Sequence, residues 1–158
     1  MRSIDLQVTL FRTEADRERS ERAMHFVLHA LCCIDYEYLQ SFRVPPIYRS
    51  GVRYDNPRAG KKEWFDVGKC MEEKLGDCKD LACWLVAEHW MKGIRSRPYI
   101  RYRTKHYVDA SGRRKRFSLY HVLVQLPNGK LEDPSRVLGM GQNEWEPMES
   151  RQIAAGWR

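Results

Sequence analysis

The spacing of apolar and polar residues changes period several times along the chain, and each change marks an element. Residues 3–11 alternate, with Ile4, Leu6, Val8 and Leu10 on one face and Asp5, Gln7 and Thr9 on the other. That pattern predicts a half-buried strand. Thr13 with Asp16 is a helix-start signature, and Ala23, Phe26, Val27, Ala30, Leu31, Ile34 and Tyr38 then follow helical spacing to about Phe42. Pro45 and Pro46 end this long helix, because neither donates an N–H and Pro46 keeps Pro45 out of helical geometry. Residues 44–62 predict a long loop with a short strand over residues 50–54, and loops of this length often wall a cleft. Trp64, Val67, Met71 and Leu75 predict a short helix, with Gly76 as its C-terminal cap.

A second long helix is predicted from Cys78 to about Lys92. Leu81, Ala82, Leu85, Val86, His89 and Trp90 form its buried stripe, and Cys78 begins that stripe, so its side chain faces the fold. Cys83 falls on another face and is assigned to packing. After Gly93 the period becomes two. Residues 94–108 and 116–126 predict strands, and residues 130–133 return antiparallel until Pro134 stops them. Beyond Gly139 the periodic signal fades, leaving Trp145, Ile153 and Trp157 in a polar tail suited to docking. The pattern predicts an α+β fold with a single domain over residues 1–140 and a tail over residues 141–158.

The turn at Pro127-Asn128-Gly129 fixes a register. A two-residue loop at Asn128-Gly129 would pair Val124 with Asp133 and leave His121 on the opposite face. Proline instead favours the second position of a type I turn, with a left-handed glycine closing a three-residue loop. Leu126 then pairs with Lys130 and Leu123 with Asp133, which brings Asp133 diagonal to His121 on one face.

Composition narrows the function classes. The chain has 158 residues and 42% hydrophobic content, enough for one core. It has no run long enough for a membrane span, and its start does not resemble a secretory signal. Five cysteines, with Cys32 and Cys33 adjacent in a helix, do not suggest a disulfide framework, so a reducing compartment is expected. No Cys-x-x-Cys or zinc-finger spacing occurs, and His25 and His29 are one turn apart without a third ligand, so no metal is expected. The formal net charge is +7, with much of the excess between Arg95 and Arg116. That balance permits a nucleic acid or an acidic partner. A solvated, charged sheet edge that resists aggregation is the plainer reading.

The chemistry concentrates in Gly76-Asp77-Cys78-Lys79-Asp80-Leu81-Ala82. Asp77 is a favourable N-cap and Cys78 the first helical residue, where unpaired N–H groups, the helix dipole and the Lys79 charge favour a thiolate. Alone, Cys78 reads as a small buried residue, His121 as a satisfied core histidine and Asp133 as a turn residue before proline. Together they supply a nucleophile, a base and an orienting group. His89 and His106 read as structural, and Asp80 as support for the helix start and a neighbouring loop.

The Gly76–Ala82 run, then Tyr120-His121-Val122-Leu123-Val124, then Glu132-Asp133-Pro134-Ser135 resemble the transglutaminase-like branch of the papain-like cysteine peptidase superfamily. Ser50-Gly51-Val52-Arg53-Tyr54 and the Trp64 region resemble the small versions encoded by tailed bacteriophages. Lys79 departs from that pattern, where an acidic residue is common. The resemblance implies a papain/transglutaminase-like fold, with the Cys-bearing central helix packed on an antiparallel sheet and its core over residues 50–137. It implies amide hydrolysis or acyl transfer through a thioester, with Cys78 as nucleophile, His121 as general base and acid, Asp133 orienting His121, and no bound cofactor. The Cys78 backbone N–H and the Trp64 indole are candidate oxyanion donors. A peptide or other amide is the implied substrate, other phage structural proteins are implied partners, and host cytoplasm or a virion the implied location. The same fold without chemistry, as an assembly protein, is the alternative, and a nucleic-acid binder using the Arg101–Arg116 region is a third reading.

Overall fold

In the computed structural model, which describes residues 17–55, 63–108 and 110–141, one central helix is surrounded by a second helix, a β-hairpin and short connecting elements. The expected strand at residues 3–11, the Thr13/Asp16 helix start and the tail with Trp145 and Trp157 lie outside the described residues. Helix α1 runs Arg17–Ser41, β1 Arg53–Tyr54, α2 Val67–Glu73, β2 Leu75–Gly76, α3 Cys78–Met91, β3 Arg97–Val108, β4 Arg114–Gln125, β5 Leu131–Glu132 and α4 Pro134–Val137. One sheet pairs β1 parallel with β2, and the other has the antiparallel order β3-β4-β5.

Helix α3 is more enclosed than its stripe predicts. Every residue from Lys79 to His89 is buried, polar ones included. Helix α1 covers one side through Leu28, Leu31 and Cys32, and Ile100, Val122 and Val124 of the hairpin belong to the same core. Trp84 is the largest fully buried side chain and sits at the middle of this helix. Cys83 donates to the Leu28 carbonyl at 3.4 Å, which agrees with its assignment to packing.

Two local expectations are corrected. The short helix spans residues 67–73 without Trp64, and Lys74 ends it in the left-handed conformation (φ 59°). Gly76 is a strand residue instead. A Cβ there would sit 3.0 Å from Leu81 Cδ2 and 3.2 Å from Cys70 Sγ, so any side chain would press on both α3 and α2 and glycine fits the close approach. Strand β3 begins at Arg97, three residues later than its pattern suggests, and β4 begins at Arg114, two residues earlier.

The turn follows the three-residue register. Leu126 N–H donates to the Lys130 carbonyl at 2.9 Å, Gly129 N–H donates back to Leu126 at 2.9 Å, and Gly129 has φ 80°. Val124 pairs with Glu132 and Gln125 with Leu131. Continued by one residue, the ladder sets Leu123 opposite Asp133.

Asp35, on α1, is fully buried, and its Oδ1 accepts from Val67 N–H at 2.9 Å, pinning the first residue of α2 to α1. Burial pushes its carboxyl well above the usual range, against the Val67 N–H, with Asp66 and Asp80 adding to the rise. An acid whose folded pKa is raised contributes stability that is complete below its unfolded pKa, near 4, and lost as pH rises through the folded value. Asp35→Asn keeps an acceptor for Val67 without the titration. We expect the variant to gain on wild type steadily as pH rises from 5 to 8 in denaturant melts; parallel pH profiles would show that Asp35 is ionised in the fold.

Candidate active site

Asp77 caps α3 by accepting from Lys79 N–H at 3.0 Å, and Asp80 closes the capping box by accepting from Asp77 N–H at 3.1 Å. Asp80 Oδ1 also accepts from Phe65 N–H at 3.0 Å, which ties the segment before α2 to the start of α3. Asp80 thus takes the supporting role its position suggests. Lys79 is buried, with its ammonium bonded to Asp77 and 3.3 Å from Asp80 Oδ1. The Trp64 ring lies 5.4 Å from that ammonium. Trp64 therefore packs beside the capping cluster as a half-exposed platform for Lys79. Burial disfavours the charge on Lys79, but Asp80 and Asp77 more than offset it and its pKa rises. Burial and the nearby Asp77 raise the Asp80 carboxyl to about 7, against Lys79 and the two N–H donors.

Cys78 is half-buried, and the backbone N–H of Val122 on β4 is close enough to favour the charged form of its sulfur. The thiol therefore meets the strand at the residue after His121. The sequence-based expectation of a thiolate is overturned. Burial pushes the thiol up to about 12, and Asp77 adds to that rise. Asp80 acts in the same direction, while the Val122 N–H and Lys79 oppose it without prevailing. The reason is local: the carboxylates that cap the helix also neutralise Lys79 and face the sulfur.

His121 is fully buried, and its Nε2 meets Asp133 Oδ2 at 2.9 Å. Asp133 lies just past β5, as the N-cap of α4. Its Oδ1 accepts from Arg136 N–H at 3.3 Å, and Pro134 occupies the first helical turn. One carboxylate thus caps a helix with one oxygen and holds an imidazole with the other. Proline after the aspartate is explained by the cap, since its fixed φ suits the first helical position. With Nε2 facing Asp133, Nδ1 is the other ring nitrogen, and it is closed off from solvent. Arg136 Nε lies 3.5 Å from Asp133 Oδ2.

Several supporting residues were not evident from sequence. Tyr48 OH donates to Glu132 Oε1 at 2.7 Å, and Glu88 Oε1 accepts from Ile47 N–H at 2.6 Å. These bonds clamp the loop after α1 onto α3 and onto the residue before Asp133. Burial and Glu132 hold the Tyr48 phenol protonated far above its ordinary range. His89 is structural, with Nδ1 3.1 Å from Ser96 Oγ. His29 packs edge-on against Trp90, with ring centroids 5.5 Å apart. No group of three or more metal-ligating side chains occurs among the described residues. Likewise no described helix is long and apolar enough to cross a membrane.

A raised thiol pKa predicts slow alkylation. Iodoacetamide should label Cys78 slowly at pH 7, with the rate still climbing at pH 10, whereas a thiolate–imidazolium pair would give a plateau near neutrality. Mass-resolved labelling separates Cys78 from Cys33, an exposed cysteine.

No family model, curated protein or solved structure matches this chain.

Proposed function

We propose that this protein is a cysteine-dependent amide hydrolase or acyltransferase with a papain/transglutaminase-like arrangement of Cys78, His121 and Asp133. One observation carries the reading: Asp133 Oδ2 meets Nε2 of His121 at 2.9 Å, on the strand whose next residue, Val122, presents its N–H toward the Cys78 sulfur. Because the resting thiol is protonated, His121 acts as a true general base. Nδ1 takes the thiol proton as sulfur attacks the substrate carbonyl carbon. The oxyanion that forms is stabilised by the Cys78 backbone N–H at the helix start. The imidazolium then gives its proton to the leaving amine, the C–N bond breaks and a thioester remains. Water or a second amine, deprotonated by His121, attacks the thioester and releases Cys78. Asp133 keeps the imidazole in orientation and stabilises its charged form.

Activated esters test this step directly. An N-acyl amino acid p-nitrophenyl ester should release one equivalent of nitrophenol in a burst and leave one acyl group on Cys78 by intact and peptide mass. Cys78→Ala should abolish the burst. Acylation that settles on another cysteine, or persists in His121→Ala at the wild-type rate, overturns the reading.

The inward, protonated thiol favours a second reading, an assembly protein of a phage particle that retains the fold without chemistry. It predicts no burst with any ester and an unchanged assembly role in Cys78→Ala.

A further inference from the structure

The base of the β3–β4 hairpin joins the core through Ile100, Val122 and Val124. Strand β5 pairs only with Val124 and Gln125, so β3 and β4 beyond that point pair only with each other among the described strands. At the far end Val108 is 61% exposed, and residues 110–114 are all exposed. From Arg101 to Val108 the ribbon is about 25 Å long at the usual strand rise.

Charge is concentrated on this ribbon. Residues 101–116 hold seven Lys or Arg against one Asp, so six of the chain's seven net positive charges lie there. The register places them along both strands, with Arg103 paired to Leu119, Lys105 to Phe117, Lys115 to Tyr107, Arg116 to His106 and Arg114 to Val108. A two-stranded ribbon fits the major groove of B-form DNA, about 12 Å wide, whereas the deep, narrow major groove of duplex RNA shuts it out.

We propose that the β3–β4 ribbon is an arm that binds duplex DNA through its phosphates, without sequence specificity. The exposed end of this surface, Val108 and residues 110–114, holds none of Cys78, His121 and Asp133, whereas Arg101 at its base stands opposite His121. The arm grips the backbone and releases counterions, so its affinity depends steeply on salt.

Fluorescence anisotropy of a labelled 20-base-pair DNA duplex against the full chain tests the arm. Binding should weaken with a log–log salt slope of about −5, as expected for roughly six neutralised phosphates. Arg113→Glu/Arg114→Glu, at the exposed tip, should weaken binding at least tenfold. A milder variant with glutamine at Arg113, Arg114, Lys115 and Arg116 should reduce the slope by about 3–4. Circular dichroism and the ester burst report whether each variant is folded, and Cys78→Ala should bind as wild type. Absence of binding at low salt overturns the proposal. So does tip-independent binding, or tighter binding to poly-glutamate, single-stranded DNA or duplex RNA at equal salt.

Discussion

His121→Ala slows acylation of Cys78 by about 100- to 10,000-fold, the range expected when a general base is removed. The loss should fall on the burst rate and leave the fold intact, apart from a cavity where a fully buried ring was. The Asp133 variants separate two jobs done by one side chain. Asn caps helices as well as Asp, so Asp133→Asn keeps the α4 start and the chain's stability within about 0.5 kcal/mol. It nevertheless removes the negative charge facing Nε2, and acylation should fall by a factor approaching that of His121→Ala. Asp133→Ala loses both roles and should cost about 1 kcal/mol of stability besides. Burst kinetics with denaturant melts on the three variants check this. Equal activity in Asp133→Asn and wild type would mean that Asp133 is only a helix cap.

Asp80→Ala destabilises the chain by about 3–5 kcal/mol, as expected when one partner of a buried ion pair is removed. Its carboxylate accepts from Phe65 N–H and Asp77 N–H and faces the buried Lys79 ammonium, so alanine leaves two donors and part of a charge uncompensated. That loss is a large share of the stability of a domain this size. Lys79→Met relieves the same charge and should suppress part of the defect in the double variant. A double-mutant cycle by urea melts measures the coupling. Additive single effects would show that Lys79 is held by Asp77 alone.

Much of this site is written locally. Asp77 and Asp80, at three-residue spacing before an apolar run, specify the capping box, and the structure contains both halves of it. Pro127 and Gly129 specify the turn, and the turn specifies the register that sets Asp133 against His121. What sequence could not convey depends on distant segments. Lys74 rather than Gly76 ends α2, and Gly76 instead lies close against Leu81 and Cys70, a packing relation with no local signature. The thiol of Cys78 sits at a helix start that should lower its pKa, yet burial under β4 and the capping carboxylates push it the other way. Tyr48 reaches Glu132 across 84 residues, so its clamp has no periodic trace. That β5 pairs only with Val124 and Gln125 of the long β4 emerges only when strand pairing is known.

The turn closed by Gly129 also acts as a length gauge. Side chains alternate along a strand, so one residue added to or lost from residues 127–129 would turn His121 and Asp133 to opposite faces while every strand could still form. Such a change would leave a folded protein with intact sequence motifs and no pair. Lineages of this fold should therefore tolerate substitutions within the turn more readily than changes in its length.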